Sequence, residues 1–247
     1  MLFRSIEPVS LTEPMIRPRA WRLPSQCAVC HGWGAARLCD ACLQRFAATA
    51  PRCLRCALRV QSAVGVCGQC VRSPPSFDSA LASVDYDHPW DRLIARFKFN
   101  AALDLAASLA GLLVRTHLAS DRAHPALLLP VPLSPKRLRE RGYNQAWELT
   151  RRAARTLRCT ADAGLLLRVK DTPHQLSLPR ARRAANVRGA FAVEPRRAHE
   201  LRGRSVTLVD DVMTTAATAE EISAVLKQAG AAEVHLWMVA RTPPPAD

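Results

Sequence analysis

Residues 205–219 read SVTLVDDVMTTAATA. Val206, Leu208 and Val209 form an apolar run with β-branched character, the pattern of a strand covered on both faces. Asp210 and Asp211 close that run, and a short loop rich in Thr and Ala follows. Ile222, Val225, Leu226 and Ala229 then fall at i, i+3, i+4 and i+7, which predicts an amphipathic helix with Gly230 as its C′ residue. Two carboxylates and a Thr loop thus stand at the carboxyl end of a strand, just before a helix N-terminus. Open α/β sheets bind ligands at such points, and N–H groups at a helix start can hold a phosphate. Carboxylates accept hydrogen bonds from vicinal hydroxyls, while backbone amides and the hydroxyls of Thr214, Thr215 and Thr218 can wrap a terminal phosphate. The combination suits a ribose 5-phosphate. The alternative is an ordinary strand–turn–helix whose Asp residues cap the helix.

Outward from this stretch, apolar runs of strand length alternate with helical patterns. LASVDY (81–86), ALLLPVP (126–132), LLLRVK (165–170) and EVHLWMVAR (233–241) read as strands. Residues 91–100 carry Leu93, Ile94 and Phe97 at helical spacing, and 101–118 place Leu105, Leu109, Leu112 and Leu113 on one side. LSPKRLRERG reads as a basic loop, followed from about Asn144 by a helix with Ala146, Leu149, Ala153 and Leu157 inward. This alternation predicts an α/β domain over 76–247, a mostly parallel sheet with helices on both faces. Residues 170–191 have no clear period and are long for a plain connection, the length of a functional lid.

Eight of the nine cysteines form four C-x-x-C pairs: Cys27/Cys30, Cys39/Cys42, Cys53/Cys56 and Cys67/Cys70. Each such turn brings two thiolates to one side of a metal, and two turns complete a tetrahedral S₄ site. Residues 27–72 therefore read as a small module holding two structural zinc ions, which replace the core that so short a segment lacks. Sequential use of the pairs gives Cys27, Cys30, Cys39, Cys42 and then Cys53, Cys56, Cys67, Cys70; a crossed arrangement is the alternative. A disulfide framework fits poorly with a chain whose first 26 residues lack the apolar core and cleavage site of an export signal. Residues 1–26, with prolines at 8, 14, 18 and 24, are expected to form a poorly ordered tail.

The chain has 247 residues, 49% hydrophobic and 23% charged, a globular composition long enough for one sizeable domain and one small one. No apolar run approaches membrane-spanning length, so a cytoplasmic protein with no membrane span is expected. Net charge is +14 and is concentrated. Residues 135–158 hold eight Lys and Arg against two Glu, and 180–204 hold eight Arg against two Glu. A field of that sign draws polyanions, a diphosphate or a nucleic-acid backbone, although few aromatic residues are interleaved for base stacking.

The 205–219 stretch resembles the phosphoribosyl diphosphate (PRPP) motif of type I phosphoribosyltransferases: an apolar strand, two acidic residues, then Thr-Thr-Gly-Ala/Gly-Thr. Ala216 stands where that family usually has Gly. The order of parts from Cys27 onward, with LIARFKF, PVPLSPKRLRERGYNQA, DTPHQLSLPRARRAANVRGAF and LVDDVMTTAAT, is similar to the ComF family, competence-associated phosphoribosyltransferase-like proteins with an N-terminal double zinc ribbon. The resemblance implies a type I phosphoribosyltransferase-like core and a role in natural competence, the uptake of single-stranded DNA, with competence proteins as partners. It implies that Asp210 and Asp211 hold the ribose hydroxyls and serve any catalysis, that Thr214, Thr215, Ala216, Ala217 and Thr218 wrap the 5-phosphate, and that Pro132, Ser134, Arg137, Arg139 and Arg141 stand on the diphosphate side. Mg²⁺ would accompany PRPP, and the segment around 172–186 would be a mobile hood. Ala217, Ala219 and the residues after them favour helix, so the loop at Ala216 is expected to be helical and unstrained. Transfer of the phosphoribosyl group without a DNA role is the alternative function.

Overall fold

The computed structural model describes residues 24–61, 64–171 and 183–243. The expected tail lies outside the described residues as far as residue 23, and the expected hood as far as residue 182.

Two small Cys-containing units come first. In one, β1 (Ser25–Gln26) pairs antiparallel with β2 (Trp33–Gly34) ahead of α1 (Asp40–Phe46). The other ends in α2 (Gly68–Arg72). Then follow β3 (Ser79–Asp85), α3 (Trp90–Phe99), α4 (Ala106–Leu118), β4 (Leu127–Pro130), α5 (Pro135–Arg141), α6 (Gln145–Leu157) and β5 (Thr160–Ala161). A two-stranded antiparallel ribbon, β6 (Leu166–Arg168) with β7 (Phe191–Val193), brackets α7 (Arg183–Val187). The chain closes with β8 (Ser205–Met213), α8 (Ala217–Gln228) and β9 (Glu233–Arg241).

The main sheet is parallel throughout, in the order β3-β9-β8-β4-β5. Alternation along each strand sorts its residues between two cores. Leu127, Leu129, Val206, Leu208, Val234, Leu236 and Met238 face α8, with Ile222 and Leu226 against them. Leu128, Val209, Trp237 and Val239 face α3, α4 and α6, with Ile94, Phe97, Leu109, Leu113, Leu149 and Ala153 against them. Both faces are covered, as the continuous apolar runs require. No helix among the described residues is long and apolar enough to cross a membrane.

The connectivity fixes where a ligand can enter. From β4 the chain passes through α6 to β5 on one side; from β8 it passes through α8 to β9 on the other. The order therefore reverses between the adjacent strands β4 and β8, and the crevice of a doubly wound sheet opens beyond the carboxyl ends of such a pair. Pairing of β4 with β8 ends at Pro130 opposite Val209, whereas β8 continues along β9 to Met213. The far end of β8 is thus open on the β4 side.

Three expectations need correction. Asp210 and Asp211 do not close the strand; they lie inside β8, because β9 is equally long and pairs Asp210 with Met238 and Val212 with Ala240. The stretch read as a basic loop is the helix α5: Ser134 caps it by accepting from the Arg137 N–H at 3.4 Å, Pro135 supplies its first residue, and Gly142 ends it at φ 81°. The run at 165–170 does form a strand, but in the separate ribbon and not in the main sheet.

Candidate functional site

A cavity of about 190 Å³ occupies the switch point. Val131, Pro132 and Leu133 from the loop after β4 form one wall; Asp210 and residues 212–219 form the other. Asn144 secures the first wall. Its side-chain oxygen caps α6, accepting from the Ala146 N–H at 2.9 Å, while its Nδ2 donates to the Val131 carbonyl at 3.1 Å.

Of the expected site residues, Asp210, Thr214, Thr215, Ala216, Ala217, Thr218, Pro132, Arg137 and Arg141 line the cavity together. Ser134 does not: it is 1% exposed and serves as the cap of α5. Arg139 is exposed and does not line it either. Asp211 points to a different partner. It is 1% exposed and pairs with the Lys98 ammonium, whose Nζ lies 3.0 Å and 2.8 Å from its two carboxylate oxygens.

Lys98 and Arg168 also line the cavity, and sequence reading missed both. The signal for Lys98 is its place four residues after Ile94 on the apolar face of α3, where a lysine has no reason to stand unless a charge awaits it. Arg168 sits in the ribbon strand β6, and its sequence context carries no comparable sign. With Arg137 and Arg141 these residues put four cations around one acidic wall.

Burial opposes the charge on Arg137, and Arg141 adds to the opposition; for Arg168 burial does the same and Arg137 adds to it. Both guanidiniums are pushed below the usual arginine range. Crowded, partly desolvated cations of this kind gain from an anion of multiple charge. On the acidic wall, burial and the neighbouring Asp211 raise the Asp210 carboxyl well above the usual range. Burial also works against Asp211, but Lys98 overrides it and holds that carboxyl low. Lys98 likewise stays above the usual lysine range despite burial, because Asp211 contacts it and the charge of nearby Asp210 adds to the attraction.

Ala216 departs from the expected helical geometry. It is the N-cap of α8 with φ 62° and ψ −2°, in the left-handed region. The turn from β8 into α8 demands that conformation, and the Ala216 carbonyl then accepts the first helical bond, from the Glu220 N–H at 2.8 Å. For a residue with a Cβ this costs roughly 1–2 kcal/mol; packing of the methyl against the core on the α8 side offsets part of it. Ala216→Gly is therefore expected to raise stability by about 1 kcal/mol, read as a shift in denaturant midpoint at unchanged slope. Ligand affinity should change less than tenfold, because the loop already has the shape that Gly would permit.

The cysteines gather sequentially: Cys27, Cys30, Cys39 and Cys42 in one group, Cys53, Cys56, Cys67 and Cys70 in the other, with ligand atoms within 4.8 Å of one another in each. Tetrahedral zinc at a Zn–S distance of about 2.3 Å sets its sulfurs about 3.8 Å apart. Cys30 and Cys39 Sγ are 3.7 Å apart, and Cys56 and Cys67 Sγ 3.6 Å. The Cys67 N–H donates to Cys53 Sγ at 3.3 Å, the kind of outer bond that settles a metal-bound thiolate. Burial and the surrounding thiols push the Cys42 thiol up to about 12, whereas Cys27, against burial, is brought down to about 6 by backbone hydrogen bonds. Thiolates this close repel one another, and a cation among them relieves that repulsion. Both groups fit zinc.

The chain is 35% identical over 208 residues to competence protein F of Haemophilus influenzae, covering 83% of this chain and 90% of that protein. It is 31% identical over 226 residues to DNA utilization protein YhgH of Salmonella typhimurium, covering 90% and 96%. No protein-family model matches it. Among solved structures, the adenine phosphoribosyltransferase of Leishmania tarentolae superposes with TM-score 0.39 at 13% identity, over 68% of this chain and 93% of that one. The glutamine PRPP amidotransferase of B. subtilis superposes with TM-score 0.36 at 20% identity, over 54% of this chain and a 25% share of its own length.

Proposed function

Since the chain belongs to the ComF family, that of competence protein F and DNA utilization protein YhgH, we propose that it binds PRPP with Mg²⁺ in the β4/β8 crevice and handles single-stranded DNA in natural competence, in the cytoplasm. The observation that carries the ligand reading is the meeting, at one switch point, of Asp210, the Thr214–Thr218 turn and the cations Lys98, Arg137, Arg141 and Arg168. In this reading the turn and the start of α8 take the 5-phosphate, Asp210 accepts from the ribose diol, and the arginines take the diphosphate. Asp211 reaches the ligand only as Lys98 turns from it towards a phosphate oxygen. Mg²⁺ would enter with the ligand, held largely through the ligand's own phosphates beside Asp210, and would offset the charge of the diphosphate.

A second reading, transfer of the phosphoribosyl group to an acceptor, draws on the same cations. Loss of diphosphate leaves positive charge at the anomeric carbon, and fixed guanidiniums favour the departing anion. Among the described residues that line the cavity, none selects an acceptor, and binding is the better supported reading.

The DNA role rests on the names of the relatives and on the charge of 135–158 and 180–204. Part of that charge is already engaged: Arg151 and Arg152 pair with Glu148, and Arg197 pairs with Asp162 and Glu200. Contacts are expected to be to phosphates. If about five are neutralised, log K should fall with log salt at a slope of about −3.5 for a single strand. Calorimetric titration with PRPP and Mg²⁺, then with a single-stranded oligonucleotide on the same sample at three salt concentrations, tests both halves. Two saturable events are expected, the second salt-sensitive. A flat salt response would count against the DNA half, and no heat with PRPP against the other.

A further inference from the structure

The second Cys₄ group lies close to the crevice loop, and one buried side chain joins them. Arg241, the last residue of β9, is 5% exposed. Its Nε donates to the carbonyl of Cys56, one of the four sulfur donors, at 3.0 Å. Its Nη1 donates to the carbonyls of Met213 at 2.9 Å and Thr214 at 2.6 Å, the two residues that carry β8 into the turn. A trans peptide is planar, with N–H opposite C=O. Holding these two carbonyls towards Arg241 therefore turns the Thr214 and Thr215 N–H groups the other way. A second tie runs beside the first. Ser76, six residues after Cys70, donates its backbone N–H to the Glu220 carboxylate at 2.7 Å, and its hydroxyl donates there as well. Glu220 lies in the first turn of α8, directly after the turn. Cys56, Cys70, Thr215, Ala216, Glu220 and Arg241 together line one small cleft.

We propose that Arg241 is a positioning residue for the 213–218 turn, and that through it the second Cys₄ group, but not the first, sets the conformation of that turn and hence its affinity for a phosphate ligand. The affinity part rests on the function proposed above; the conformational part does not. A guanidinium suits this place because its planar fork reaches carbonyls of two segments at once, which an ammonium on a flexible stem does less well. Zinc at Cys53, Cys56, Cys67 and Cys70 would fix the Cys56 carbonyl, and Arg241 passes that constraint to the turn.

The test uses the full chain in four forms: wild type, Arg241→Lys, Cys70→Ser and Cys42→Ser. Amide hydrogen exchange of peptides spanning 213–219, zinc content, and PRPP affinity in Mg²⁺ are read on each. Exchange in the turn is expected to quicken at least tenfold in Arg241→Lys and in Cys70→Ser, and less than twofold in Cys42→Ser. Arg241→Lys should keep both zinc ions while losing tenfold or more in PRPP affinity. If Arg241→Lys does not fold, the contrast between Cys70→Ser and Cys42→Ser decides. Equal turn exchange in those two, or wild-type exchange in Arg241→Lys, would overturn the proposal. Should wild type bind no PRPP, the ligand reading fails alone, and the exchange data still judge the coupling.

Discussion

Protein purified without chelators should carry two zinc ions per chain, and Cys39→Ser should release one of them and unfold its unit. Structural zinc in small modules is worth about 10–16 kcal/mol of apparent binding, much of it folding energy, and the segment has little else. Among the described residues, the second group's core consists of Cys53, Cys56 and Cys70 themselves, edged by a few partly buried apolar side chains. The first unit also packs on the sheet domain. Leu38 is buried in the core shared with α3 and α4, Val29, Leu43 and Phe46 pack beside it, and Trp90 Nε1 donates to the Phe46 carbonyl at 2.8 Å. Cys39→Ser should therefore also cost the sheet domain about 1.5–3 kcal/mol, the burial of one large apolar side chain, and lower its Tm without abolishing its cooperative transition. Elemental analysis giving under one zinc per wild-type chain would contradict this account of residues 27–72.

The second large effect separates two adjacent carboxylates. Asp211→Asn leaves the Lys98 ammonium without its counter-charge, and breaking a buried pair by removing one partner costs about 3–5 kcal/mol. Asp210→Asn should be neutral or slightly stabilising. Burial and Asp211 raise the Asp210 carboxyl, so its stabilising contribution is present at low pH and is lost as pH rises through its raised folded value. Asp211 has the opposite sign: its contribution is present above the usual carboxylate range and is lost as pH falls through its lowered folded value. Denaturant unfolding of the two single variants at neutral pH and at mildly acidic pH checks the contrast. Equal stability losses would show that the two side chains share one environment.

This division of labour is a three-dimensional fact that the DD pair alone does not disclose. Strand and helix periods made the alternation of β8, α8 and β9 legible, and regular C-x-x-C spacing made both sulfur groups legible. Which carboxylate meets Lys98 depends on α3, some 110 residues earlier in the chain. The pleat sends Asp210 and Asp211 to opposite faces once both lie within the strand, and that in turn depends on β9 pairing past them. The helix α5 was hidden by its brevity and by charge on every side, although Ser134, Pro135 and Gly142 carried its start and stop signals. Ala216 misled for a related reason: its neighbours favour helix, but the geometry of entry into α8 overrides local propensity at the cap. Arg241 looked like the end of a strand and nothing more, since its partners are backbone carbonyls that no side-chain pattern records.

The claim on which the rest depends is that the β4/β8 crevice, with Asp210 facing the ligand, binds PRPP. Calorimetric titration of PRPP in Mg²⁺ into wild type and Asp210→Asn across a pH series measures it directly. One site per wild-type chain is expected, tightening with pH as Asp210 loses its proton. Asp210→Asn should bind at least tenfold more weakly at neutral pH, in keeping with about 1.5–3 kcal/mol for hydrogen bonds to a charged acceptor, and its residual affinity should lack the Asp210 step in the pH profile. Equal affinity and equal pH dependence in the two proteins would contradict the account and put the ligand, if one binds, elsewhere on the molecule.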